Sequence, residues 1–123
     1  MKTDISNRED ILILMKAFYD QLLLDKKMAY LFNDVAKIDM EKHLPIIVDF
    51  WEMVLFQTSG YQKNVMKVHQ LLNEKSPITK EHFDIWLRTF NEIIDEKFEG
   101  DHVIIAKQRA LSIATMMQIK MIR

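Results

Sequence analysis

Across 123 residues the chain carries two glycines and two prolines, and this scarcity constrains its fold more than any other feature. Sheet proteins need frequent tight turns, which draw on glycine for positive φ and on proline for a preset φ. A β-sandwich or barrel is therefore a poor fit, and an all-α fold is expected. The length suits one domain, residues 1–123, with no visible repeat or linker. Hydrophobic residues make up 49% and charged residues 28%, the balance of a folded globule and not of a disordered chain.

Apolar residues recurring at helical spacing predict four long helices. In the first, Ile11, Leu14, Met15, Phe18 and Leu22 share a face with Tyr19 at its border, and Ser6 with Glu9 has the form of a capping box. Met28 to Phe32 reads as one or two helical turns, followed by a polar connection opening at Asn33-Asp34. The second long helix aligns His43, Ile46, Ile47, Phe50, Val54 and Leu55 and is expected to end near Ser59-Gly60, with the glycine as a left-handed stop. Pro45 is expected in its first turn, because a proline deeper in a helix costs about 3 kcal/mol. A short helix around Val65 to Leu72 and a loop over 73–77 follow. A third long helix, capped by Thr79, turns Phe83, Trp86, Leu87, Phe90, Ile93 and Ile94 inward. The last begins near Asp101 and buries Val103, Ala106, Ala110, Ile113, Ala114 and Met117.

Charge narrows the function classes. Lys+Arg 17 against Asp+Glu 18 gives a formal charge of -1, without the basic excess that binding to a phosphate backbone draws on. No nucleic-acid partner is expected. The opening MKTDISNRED has no apolar run of a secretory leader, and Asp49 and Glu52 interrupt the most apolar segment before it reaches membrane-spanning length. A cytoplasmic protein without a membrane partner is expected, and the lack of cysteine excludes thiolate chemistry.

The chemistry-bearing residues are few. Zinc and di-iron cages need ligands at fixed helical offsets, and no such spacing occurs. Neither a nucleophile elbow nor a glycine-rich phosphate loop is present. Glu41, Glu52, Glu92 and Asp95 read as solvated helix faces, and His82 and His102 as exposed first-turn residues. His69, within VMKVHQLL, faces apolar neighbours and reads either as an isolated core histidine or as a metal ligand. His43 reads either as a helix-start histidine bonding locally or as a residue of an apolar site. Tyr19 and Trp86 each place one polar hydrogen on an apolar face, where it needs an acceptor or a route to the surface. The nine methionines read mainly as core fillers.

Taken in order, Phe18-Tyr19, Leu31-Phe32, HLPIIVDFWEMVL from His43, Tyr61 and NVMKVHQLL around His69, and HFDIWLRTF with Trp86 resemble the truncated haemoglobins, most closely their third group. The resemblance runs from about residue 5 to about residue 120. It implies a shortened globin, a two-over-two helical sandwich around haem b (iron protoporphyrin IX). By position it implies that His69 is the proximal ligand to iron, while Tyr19, His43 and Trp86 line the distal side as ligand-stabilising residues. Phe32 and Phe50 match the residues that wedge the macrocycle, with Phe18 and Ile47 beside them in the cofactor site. The chain departs from the family at Lys63 and Val65, where glycine and proline often stand.

A haem iron held by one imidazole keeps its opposite face open to a diatomic ligand. The resemblance thus implies a reversible binder of dioxygen or a related diatomic. It equally implies a redox enzyme acting on nitric oxide or peroxide, with electrons from an unidentified reductase. A dense set of distal donors leans toward redox chemistry. The reading without haem is a helical module whose methionine- and aromatic-rich stripe packs against another protein.

Overall fold

The computed structural model describes residues 2–58 and 78–121, with side chains to residue 119. Every regular element among the described residues is helical, as the shortage of turn residues requires. Helix α1 spans Arg8–Leu22. Helix α2, Lys26–Ala29, runs on into a π-helical turn over Tyr30–Val35. Helices α3, α4 and α5 span Met40–Phe56, Lys80–Lys97 and Asp101–Met121. The expected short helix around Val65 to Leu72, the loop over 73–77, and with them Tyr61, Lys63 and His69, lie outside the described residues.

The four long helices close a ring in which α1 packs on α3 and α4, and α5 packs on α4 and α3. The predicted stripe of α1 is buried, with Tyr19 inside it and Phe18 1% exposed. Removing a side chain of that size from water contributes about 1.5–3 kcal/mol. Arg8 fastens α1 to α3 by donating to Asp49 at 2.7 Å and to Glu52 at 3.1 Å. A second, smaller core joins Leu31, Ile78 and Phe83 to Ala114 and Met117 of α5.

Several local expectations are corrected. Helix α1 is capped by Asn7, not by a Ser6–Glu9 box: the Asn7 side chain accepts from the Asp10 N–H at 2.9 Å, and the Asp10 carboxylate accepts from the Ser6 N–H at 2.9 Å. Asparagine caps as well as serine does, and the shorter Asp10 side chain reaches back where Glu9 does not. The chain also stays helical through Asn33 and Asp34, because the π-turn continues with the Ala36 N–H donating to the Leu31 carbonyl at 2.9 Å.

Helix α3 begins well before His43. Asp39 caps it by accepting from the Glu41 N–H at 3.1 Å, so Pro45 stands beyond the first turn. The proline removes one hydrogen bond, to the Glu41 carbonyl, but its ring is exposed. The extra turn is held by its cap and by Met40 and Leu44, which pack on the main core. The helix stops at Phe56, earlier than expected, and Gln57 takes the left-handed conformation (φ 59) with its N–H donating to the Met53 carbonyl. A glycine is the usual residue there, and Ser59-Gly60 lie outside the described residues.

His102 is not a free surface residue. It is half-buried, its ring Nδ1 meets the Ile5 carbonyl, and Phe56 stands edge-on to it at 5.1 Å. The segment before α1 thereby closes over the start of α5.

Candidate functional site

The site is built where α1, the π-turn, α3 and α4 meet. Helical spacing on α1 places Phe18 and Tyr19 next to one another on the inner face, with ring centroids 4.9 Å apart. The π-turn brings Phe32 edge-on to Tyr19 at 5.9 Å. Wider helical turns of this kind often mark functional sites. Across from them, α3 presents His43, whose imidazole stands 6.2 Å from the Tyr19 ring. Phe18 then meets Trp86 of α4 edge-on at 5.9 Å. A continuous chain of ring contacts therefore links His43, Tyr19, Phe18 and Trp86, with Phe32 attached.

Helix α3 divides its apolar residues between two faces. Val48, Trp51 and Leu55 are buried, whereas His43, Ile46, Ile47, Phe50 and Val54 are half-buried. The predicted single stripe was in fact the second of these faces, with Leu55 belonging to the first. Ile47 and Phe50 pack against the core from that half-buried side. Phe50 lies about two turns beyond His43, roughly 10 Å along the axis.

Phe50 and Val54 also border a cavity of about 330 Å³ between α3 and α5, to which Met53, Arg109, Ile113 and Met117 contribute. The cavity is mainly apolar, and Arg109 is the charged residue on its described wall.

Tyr19 is 6% exposed. Burial pushes its phenol well above the ordinary tyrosine value, because a phenolate loses its hydration there. The hydroxyl is consequently a hydrogen donor throughout the neutral range. Trp86 is half-buried where the two cores meet, and its indole supplies a second donor of the neutral type. Neutral donors beside large half-buried apolar side chains suit a flat apolar guest with a polar ligand at its centre, and so the residues present fit a haem.

Trp51 was not singled out from the sequence, yet it is 4% exposed and central to the packing behind the site. Its ring stacks on Phe90 at 5.1 Å, and Phe90 stacks in turn on Trp86 at 5.8 Å. The spacing of Val48, Trp51 and Leu55 is a helical stripe that would have identified it. His69, the expected iron ligand, lies outside the described residues. Among the described residues no group of three or more His, Cys, Asp or Glu side chains could hold a metal ion, and no helix is long and apolar enough to cross a membrane.

This architecture is that of a two-over-two truncated globin. A crystal structure of the group III truncated hemoglobin from Campylobacter jejuni superposes with a TM-score of 0.86 at 28% identity, covering 100% of this chain and 97% of that one. A curated protein of the same organism, a group 3 truncated hemoglobin, is 30% identical over 121 residues, which is 96% of this chain and 93% of the relative. No protein-family model matches the chain. The chain belongs to the group 3 truncated haemoglobins.

Proposed function

We propose that the protein is a haem-binding globin, with haem b held through His69 and dioxygen or a related diatomic taken up on the side lined by Tyr19, His43 and Trp86. The observation that carries the reading is the ring contact chain from His43 through Tyr19 and Phe18 to Trp86, beside the half-buried apolar face of α3. Family membership supports it, since the relatives are haemoglobins by name.

When bound, the haem would supply an iron that takes up a diatomic ligand. Phe32, Ile47 and Phe50 would hold the macrocycle by apolar contact, with Phe18 backing Tyr19. The Tyr19 hydroxyl and the Trp86 indole N–H would donate hydrogen bonds toward negative charge on the ligand, and such donors are strongest where water is excluded. His43 adds a third polar group and stands at the α3 edge of the cluster.

The convergence of three such groups also favours a second reading, in which the site polarises its ligand for redox chemistry on nitric oxide or peroxide. A cytoplasmic reductase would then return the electrons. The ratio of the oxygen off-rate to nitric oxide turnover separates the two readings.

Absorption spectra of the purified protein in ferric, ferrous and carbonyl forms test the haem itself. A Soret band that shifts on reduction and again with carbon monoxide is the expected result. A colourless protein that takes up no added haemin overturns the proposal and leaves the helical partner-binding module.

A further inference from the structure

We infer that Trp51 is a positioning residue for the ligand site: acting through Phe90, it fixes the plane of the Trp86 indole and with it the line along which the indole N–H points. The inference rests on the reading of Trp86 as a donor to the ligand and extends it to a residue on the other face of α3.

Trp51 lies on the buried face of α3 with Val48 and Leu55, whereas Ile47 and Phe50 stand on the half-buried face assigned to the cofactor. Its link to the site is a run of parallel rings. Trp51 stacks on Phe90 with centroids 5.1 Å apart and planes at 19°, and Phe90 stacks on Trp86 at 5.8 Å and 13°. The neighbouring contacts differ in kind: Phe18 with Tyr19, and Tyr19 with Phe32 and with His43, meet edge-on at 61°, 89° and 80°. Edge-on and offset-stacked pairs are both favoured arrangements, so what separates them here is constraint. An edge touches a ring along a line and lets it rock, whereas a stacked face lies against the ring and sets its plane.

Local structure does not set that plane. Trp86 and Phe90 are four positions apart on α4, which brings their side chains together, but the torsion that turns an aromatic ring about its Cβ–Cγ bond is broad. Trp86 is half-buried and has room to rock. Phe90 by itself is a weak stop, because its own ring turns about an equally broad torsion. Phe18 meets Phe90 and Trp86 edge-on, at 5.5 and 5.9 Å, and so limits where the two rings stand. Trp51 supplies the missing restraint, a broad buried face from a second helix against which Phe90 lies flat. The consequence reaches the N–H. A hydrogen bond favours an angle above about 150° at the hydrogen and weakens steeply below about 120°. An indole that rocks by roughly 30° therefore passes from a good donor to a poor one.

The chain has two tryptophans, so a Trp51 variant leaves Trp86 as its sole indole, and fluorine NMR of fluorotryptophan-labelled protein then reads Trp86 alone. The full chain is measured in its carbonyl form or, if it carries no haem, as purified. Trp51→Phe keeps a flat ring against Phe90 and should give one sharp line. Trp51→Leu removes the flat face and should give a line that is broadened or split. Trp51→Met, which also lacks a ring, takes the place of Trp51→Leu should that variant not fold. Oxygen release should be at least about twofold faster in Trp51→Leu than in Trp51→Phe. In a Trp86→Phe background the same pair should release oxygen at equal rates, because the indole through which Trp51 acts is gone. Lost packing alone would not produce this dependence on Trp86. Equally sharp lines in the Phe and Leu variants, or a difference in oxygen release that persists in full without Trp86, overturns the inference. The NMR measurement needs no haem, so its failure is distinct from failure of the haem reading, which shows as a colourless protein.

Discussion

The Tyr19 ring stands edge-on to the His43 imidazole, with centroids 6.2 Å apart and planes at 80°. This couples the inner face of α1 to the early turns of α3 at the point where the buried phenol is kept protonated. Tyr19→Phe retains the ring contacts with Phe18, Phe32 and His43 and removes the hydroxyl alone. A hydrogen bond to a charged acceptor contributes about 1.5–3 kcal/mol, so oxygen should leave the variant roughly ten to a hundred times faster. Stopped-flow displacement by carbon monoxide measures the rate.

Trp86→Phe asks the same of the indole. A phenyl ring can still lie against Phe90, which stacks on Trp86 at an angle of 13°, so the packing is mostly preserved while the N–H is lost. Faster oxygen release is again expected, with a modest fall in stability of about 1–3 kcal/mol for the reduced volume. If neither this variant nor Tyr19→Phe alters the release rate, the two residues do not form the distal donor set.

How far the sequence could be read depends on the range of the interactions involved. The inner faces of α1 and α5 follow from periodicity, because burial repeats every three to four residues; on α4 the same period finds Phe83, Phe90, Ile93 and Ile94 but not the buried Ile85 and Thr89, and the expected Trp86 and Leu87 are half-buried. On α3 the same rule misled. Both faces of that helix are apolar, so Ile47-Phe50-Val54 could not be ranked against Val48-Trp51-Leu55 without knowing which face meets α1. Tyr19, His43, Phe32 and Trp86 were recognisable as candidates, but their convergence is tertiary: four separate elements contribute to it. The Asp39 cap was missed because Pro45 suggested a later start, and the Asp4–His102 contact crosses 98 positions, where local patterns carry no information.

His69 is the proposed axial ligand, and its replacement tests the cofactor assignment directly. His69→Ala should lose tight haem retention or give an altered ferrous spectrum, since no other residue is proposed to supply that nitrogen. Added imidazole should restore a histidine-like spectrum if the cavity left behind is open to it. A ferrous spectrum unchanged by the substitution rules His69 out.

His82, one helical turn before Trp86 on α4, should make stability depend on pH. His82 closes the capping box of α4: its Nδ1 accepts from the Thr79 N–H at 2.9 Å, and Thr79 Oγ1 accepts from the His82 N–H at 3.4 Å. Burial lowers its pKa from 6.5, opposed by Glu81 and aided by Lys27. The folded state therefore binds its proton later than the unfolded state. The contribution is complete above about pH 6.5 and is lost as pH falls through the lowered folded value, because a protonated Nδ1 cannot accept. Thermal melts between pH 7.5 and pH 5 should show this loss. His82→Gln, which keeps an acceptor at the third helical position, should flatten it. Equal pH slopes in the two proteins would assign the dependence to other groups.

The chain's first residues are joined to the start of α5 through a side-chain cap. The Asp4 carboxylate accepts from the backbone N–H groups of His102 at 2.9 Å and Val103 at 3.2 Å. It thus satisfies two of the unpaired donors at a helix start from a residue far away in sequence. Gly100 makes the approach possible. Its φ of +147° is open to glycine and to few other residues, and a Cβ there would stand 2.5 Å from Asp4 Cγ. Asp4→Ala should cost about 0.5–2 kcal/mol, the usual loss for a removed cap. Gly100→Ala should cost about 1–3 kcal/mol through backbone strain, besides displacing the carboxylate. Because both changes break the same contact, the double variant should lose less than the two single losses added together. Urea unfolding of the four proteins measures the coupling, and strictly additive losses would mean that Gly100 acts through its own backbone and not through Asp4.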